Sequence, residues 1–236
     1  MALPELNTAR YKMEIPSTGQ TVTYRPYLVK EEKILMMAME SDDNNVIANA
    51  TIDVIKSCFE DDIDVEGLPM FDIEAIFLAL RSKSVGETMD LKMKCNEEGC
   101  NEVSDVVINF DEIEIPKVNN EQTNIMLTDD VGVVMKYPSM RDIEKMGNTD
   151  GNETKVAMTM IMACIESIFD ADDVYPVENE SMKSLTSFVD SLTNVQFMKL
   201  SEFFRTMPAV SHTIAYTCGC GKEQEQELRG LSSFFS

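Results

Sequence analysis

An α+β fold built from two related halves is the architecture this sequence predicts. Three observations carry it. Short alternating segments and segments with apolar residues every three to four positions succeed one another along the chain. The same order of elements occurs twice. Each occurrence closes on a pair of cysteines beside glycine, at Cys95/Cys100 and Cys218/Cys220.

The elements follow in order. Tyr11, Met13 and Ile15 alternate with polar residues, Pro16–Gly19 supplies turn residues, and Thr21–Tyr24 returns, which predicts a hairpin. Arg25-Pro26 ends it. Lys30–Glu40 and Asn44–Phe59 read as helices, the second with Val46, Ala50, Val54 and Cys58 four apart. An acidic loop follows. Phe71–Lys83 reads as a largely buried helix, Thr88–Lys94 as a strand leading into Cys95, and Val103–Phe110 as a strand after Cys100. The second run begins with a hairpin at Ile125–Thr128 and Val131–Tyr137, ended by Pro138. Met140–Met146 is a short helix, and Thr154–Phe169 a long one with Val156, Met160, Cys164 and Ile168 four apart. A second acidic loop, helices at Ser181–Leu192 and Val195–Thr206, and a strand at His212–Thr217 lead into Cys218. The expected division is 1–114 and 124–236, joined by a polar, aperiodic linker at 115–123.

The 236 residues carry a net charge of −22, with a pI near 4.3. Counterion displacement from nucleic-acid phosphates needs a basic footprint, which 20 basic against 42 acidic residues do not provide. No apolar run reaches the roughly 20 residues of a membrane span. The first 16 residues lack the apolar stretch of a signal peptide, so a reducing cytosol is expected, where cysteines serve metals or stay free. Eighteen methionines and no tryptophan suit helical cores or adaptable contact surfaces.

Two cysteine pairs supply the four soft ligands of a tetrahedral structural zinc: Cys95, Cys100, Cys218 and Cys220. The C-x4-C spacing is ordinary for zinc, the C-x-C spacing tighter than usual, and four free thiols are the competing reading. Such a site would clasp the two halves at equivalent points, in the manner of a zinc ribbon. Cys58 and Cys164 fall in apolar helical settings and read as core residues.

Chemistry beyond metal binding finds little support. His212 is the single histidine, and a fifth-ligand role for it is weaker than an ordinary surface one. Nucleophile–histidine machinery and phosphate-binding glycine loops are missing, so no enzyme is expected. Asp62, Asp64, Glu66 and Gly67 match half an EF-hand loop, but Ile73 stands where a bidentate Glu is needed. Leu228, Leu231, Phe234 and Phe235 end the chain as core residues or as an apolar plug for another subunit.

From Phe203 through TMPAV to YTCGCGKEQEQELRGLSSFF, with its length and acidic methionine-rich helices, the chain resembles the baseplate proteins of T-even-type myoviruses. That family includes the baseplate hub subunit and a hub assembly factor. The resemblance is best over Asn194–Phe235. It implies a part of the contractile-tail baseplate or a chaperone of hub assembly. It would bind other baseplate or hub proteins, in the host cytoplasm during assembly or in the virion tail. The four cysteines would then be structural and Leu228–Phe235 a contact segment. An acidic adaptor, or a DNA-mimic inhibitor of a host protein, is the alternative that charge alone allows.

Overall fold

The computed structural model describes residues 6–41, 43–115, 118, 123–146 and 153–230. In chain order they form β1 (Tyr11–Glu14), β2 (Thr21–Tyr24), α1 (Val29–Met39), α2 (Asn44–Cys58), α3 (Met70–Ser84), β3 (Thr88–Lys94) and β4 (Val103–Asn109). Then come β5 (Asn124–Met126), β6 (Gly132–Met135), α4 (Met140–Met146), α5 (Glu153–Cys164), β7 (Ile165–Phe169) and β8 (Val174–Pro176). The last elements are α6 (Met182–Asp190), α7 (Asn194–Thr206), β9 (Ser211–Thr217) and β10 (Glu223–Arg229). The α+β class is as the sequence predicts.

These residues divide into two compact units, and not at the linear joint. One contains residues 6–65, 71–115 and 209–230. The other contains 66–70 and the described part of 118–208. The final hairpin thus belongs with the first unit. The cause is burial: Val210, Ile214 and Leu228 share one core with Ala75, Leu78, Met89, Leu91, Met93 and Ile108. A hairpin with one apolar face has to cover it, and this face finds that core.

In the first unit β1 and β2 pair antiparallel, Tyr11 opposite Tyr24. Their turn is held by Asp72 on α3, whose buried carboxylate accepts the backbone N–H of Ser17 at 3.0 Å and also the Ser17 hydroxyl. β3 pairs with β4, and β9 with β10, each over seven residues in an antiparallel ladder. Along β3, Met89, Leu91 and Met93 are buried and their neighbours exposed, the period-two pattern of a one-sided hairpin.

The second unit carries a four-stranded antiparallel sheet in the order β5-β6-β7-β8. α5, α6 and α7 supply Ile161, Cys164, Leu185, Val189, Leu200 and Phe203 to its core. Ser181 and Thr193 cap α6 and α7 by accepting the N–H groups of Ser184 and Gln196. Here one expectation fails. The helix expected over Thr154–Phe169 stops at Cys164, and Ile165–Phe169 is a strand. Its backbone groups pair with β6 on one side and β8 on the other, and that ladder outweighs the four-residue period.

The two units share a local arrangement. After β2, Arg25 N–H donates to the Cys58 carbonyl, and its guanidinium meets Glu31 six residues on at 2.8 Å. After β6, Lys136 N–H donates to the Cys164 carbonyl, and its ammonium meets Asp142 six residues on at 2.7 Å. Cys58 and Cys164 each end the longer helix and are buried, as expected of core residues.

Candidate metal centre

β3 and β4 are joined by Cys95–Glu102, and β9 and β10 by Cys218–Lys222. Both connections are tight. Cys95 N–H donates to Glu102 O, and Cys100 N–H to Glu97 O. Cys218 N–H donates to Lys222 O, and Gly221 N–H to Cys218 O. Gly99 and Gly221 sit at φ +85° and +84°, a left-handed conformation that costs other residues energy. Each turn therefore holds two thiols on a backbone that it fixes.

The tips meet. The four sulfur atoms of Cys95, Cys100, Cys218 and Cys220 all lie within 4.8 Å of one another. Cys95 and Cys220 are 3.9 Å apart, and Cys100 and Cys218 are 3.8 Å apart. A tetrahedron with metal–sulfur bonds of about 2.3 Å has edges of about 3.8 Å, so the cluster has the size of a four-thiolate site. All six cysteines are free of disulfides. Cys218 is buried, Cys95 and Cys100 half-buried, and Cys220 exposed.

Neighbouring groups fix the tips to each other. Asn96 N–H donates to the side chain of Gln224 at 3.2 Å, and Tyr216 O–H to the Lys94 carbonyl at 2.9 Å. The Glu102 carboxylate lies 3.8 Å from the Cys218 sulfur. A backbone N–H at Cys220 and the surrounding thiols hold Cys218 below the usual thiol value. The Glu97 backbone draws Cys95 down, but desolvation and three competing thiols push it up to about 12. Four thiols this close do not ionise together on their own. A divalent cation removes the obstacle by deprotonating its ligands.

The four cysteines singled out in the sequence are thus together, and they could hold a metal ion. They lie within the first unit, however, so the arrangement is a pair of hairpin tips inside one unit and not a clasp between lobes. His212 stands apart from the cluster: it lies opposite Leu228, at the end of its strand away from the cysteine turn, and its Nδ1 meets the Glu112 carbonyl at 3.0 Å. Of the apolar tail residues, Leu228 is buried in the core of the first unit. Leu231, Phe234 and Phe235 lie outside the described residues. Gln224 and Glu102 were not singled out in the sequence. Gln224 had a signal, since it occupies an inward position of a strand and is buried.

The fold and this centre define an α+β protein in which, among the described residues, four thiols converge as ligands that could hold a metal ion. Comparison with known proteins gives the class a family. A family model described as T4 bacteriophage base plate protein matches residues 8–236, and the chain belongs to that family. A relative, the baseplate hub assembly protein gp26 of Enterobacteria phage T4, is 22% identical over 227 residues. The alignment covers 95% of this chain and 97% of the relative. No solved structure gives a significant match.

Proposed function

We propose that this protein is a baseplate assembly factor that acts by binding other baseplate or hub proteins in the host cytoplasm. The observation that carries the reading is the end-to-end match to a baseplate family, together with a relative whose name is that of a hub assembly protein. The surface supports it. Val29, Ile34, Met36, Met37 and Met39 on α1 are 45–71% exposed, an amount of adaptable apolar surface that suits partner contacts. The tail residues Leu231, Phe234 and Phe235 are proposed as a further contact.

The four cysteines are proposed to hold one structural zinc. Four thiolates fill its coordination sphere, leaving no position for a substrate, and the metal would contribute folding energy to the two hairpins. The matched Arg25–Glu31–Cys58 and Lys136–Asp142–Cys164 arrangements support an internal duplication of the hairpin-and-helix segment.

The experiment is infection with a phage lacking the protein, complemented from a plasmid. Baseplate intermediates should accumulate without it, and purified virions should lack it by mass spectrometry. Normal baseplates in its absence would overturn the assembly role. Stoichiometric copies in virions would replace the helper by a permanent component. Elemental analysis should return roughly one zinc per chain. Full folding of metal-free protein would end the zinc reading.

A further inference from the structure

The second unit holds a cavity of about 320 Å³ between its sheet and α6. Ile168 and Phe169 of β7, Val177, and Leu185 and Phe188 of α6 give it an apolar floor. Its polar lining includes Asp170 and Glu180 and no basic residue. A cavity of about 150 Å³ accommodates benzene, so this one has room for about two rings or branched side chains. Its residues are only partly covered: of the five floor residues, Leu185 alone is buried.

The segment running past the mouth is acidic, and the exposed Lys183 is the first basic residue beyond it. From Ile165 to Met182 the chain carries Glu166, Asp170, Asp172, Asp173, Glu178 and Glu180, and neither lysine nor arginine. The rim is also ordered. Asp170 accepts the N–H groups of Asp172 and Asp173, both at 2.9 Å, and the Tyr175 hydroxyl at 3.1 Å. Those bonds hold the loop between β7 and β8 at the cavity's edge. A second copy of this chain, itself at −22, is repelled from such a mouth. An occupant needs an apolar anchor for the floor and positive charge for the rim.

We propose that this cavity is a docking site for a partner-protein segment in which one or two aromatic or aliphatic anchors are flanked by lysine or arginine. The inference rests on the reading of the protein as one that works through contacts, and it names the chemistry of one contact. The apolar floor supplies affinity, and the acidic rim selects and steers the segment.

The test uses the full chain and three labelled synthetic peptides: Phe-Leu-Phe between pairs of lysines, three serines between the same lysines, and Phe-Leu-Phe between pairs of glutamates. Fluorescence anisotropy should show binding of the first alone, weakening at least tenfold when salt is raised from about 50 to 500 mM. Ser184→Trp fills the cavity from the exposed side of α6 and should weaken binding at least tenfold while its thermal midpoint stays near that of the parent. Glu180→Lys with Asp172→Lys changes the rim without touching the floor, and should weaken binding similarly at low salt only. Methyl resonances of Ile168 and Val177 should shift on titration. Failure of the first peptide to bind, equal binding of the serine peptide, or unchanged affinity in Ser184→Trp would each overturn the proposal. A phage that assembles normally without the protein would instead strike at the assembly role, whatever the peptides do.

Discussion

Arg25 sits where three segments of the first unit come together. Its guanidinium donates to Glu31 at 2.8 Å, to the Ser57 carbonyl at 2.9 Å and to the Pro26 carbonyl at 3.0 Å. Glu31 is 2% exposed and also accepts the N–H of Leu28, so it closes the start of α1. Without Arg25, the buried Glu31 keeps only the exposed Lys30 at 3.2 Å and the Leu28 N–H as partners. Arg25→Ala should therefore cost about 3 kcal/mol in urea unfolding, with the slope unchanged. Lys136→Ala should cost less, because Lys136 is 43% exposed by its side chain and water can replace it beside Asp142. The same pairs set a pH dependence. Burial pushes both carboxyls up, but hydrogen bonds from Arg25 to Glu31, and from Lys136 and Ser139 to Asp142, bring each below its ordinary value. A lowered value in the folded state means stability that is complete above the ordinary carboxyl range and fades as pH falls through the folded value. Asp72 has the opposite sign, since burial raises it despite the two bonds from Ser17. Urea midpoints measured from neutral pH to about pH 3 should fall for the parent, and the acid-dependent fall should shrink in Arg25→Ala.

At the scale of elements, β6 and β7 depend on a missing side chain. Gly132 lies opposite Phe169, and a Cβ there would run into the ring. Gly132→Ala should displace the ring and lower stability by about 1–3 kcal/mol, read as a drop in thermal midpoint. This strand pair also shows where sequence reasoning runs out. Most elements were legible: the helix at Met140–Met146 and the strand at Thr88–Lys94 appear with the expected bounds. Their periods were uncontested by neighbours. Ile165–Phe169 was not legible, because Ile161, Cys164, Ile165 and Ile168 satisfy a helical period and only the ladder to Gly132–Met135 decides otherwise. The cysteines were legible by type and by glycine-bearing turns. Which unit they would occupy was not, because that depends on where the apolar face of the last hairpin finds cover. Glu102 gave no warning, being one acid among 42.

For the molecule as a whole, two units with separate cores should respond separately to metal. On the zinc reading, a chelator should raise hydrogen exchange in Thr88–Lys94, Val103–Asn109, Ser211–Thr217 and Glu223–Arg229. The sheet at Gly132–Met135 and Ile165–Phe169 should keep its protection. Exchange followed by mass spectrometry checks this, and uniform loss across both units would contradict it. Cys218→Ser should reproduce the chelator's pattern at several kcal/mol of cost to the first unit.

The split composition of that first unit has a consequence in time. Its opening segments leave the ribosome well before its closing hairpin, with residues 118–208, nearly all of the second unit, emerging in between. Cys100 precedes Cys218 by 118 residues, which at 5–20 residues per second is a wait of about 6–24 s. During that interval Cys95 and Cys100 have been made without their partners, while the intervening segment is already free to collapse on itself. Released chains truncated after Pro208 should thus hold a protease-resistant middle and a labile beginning.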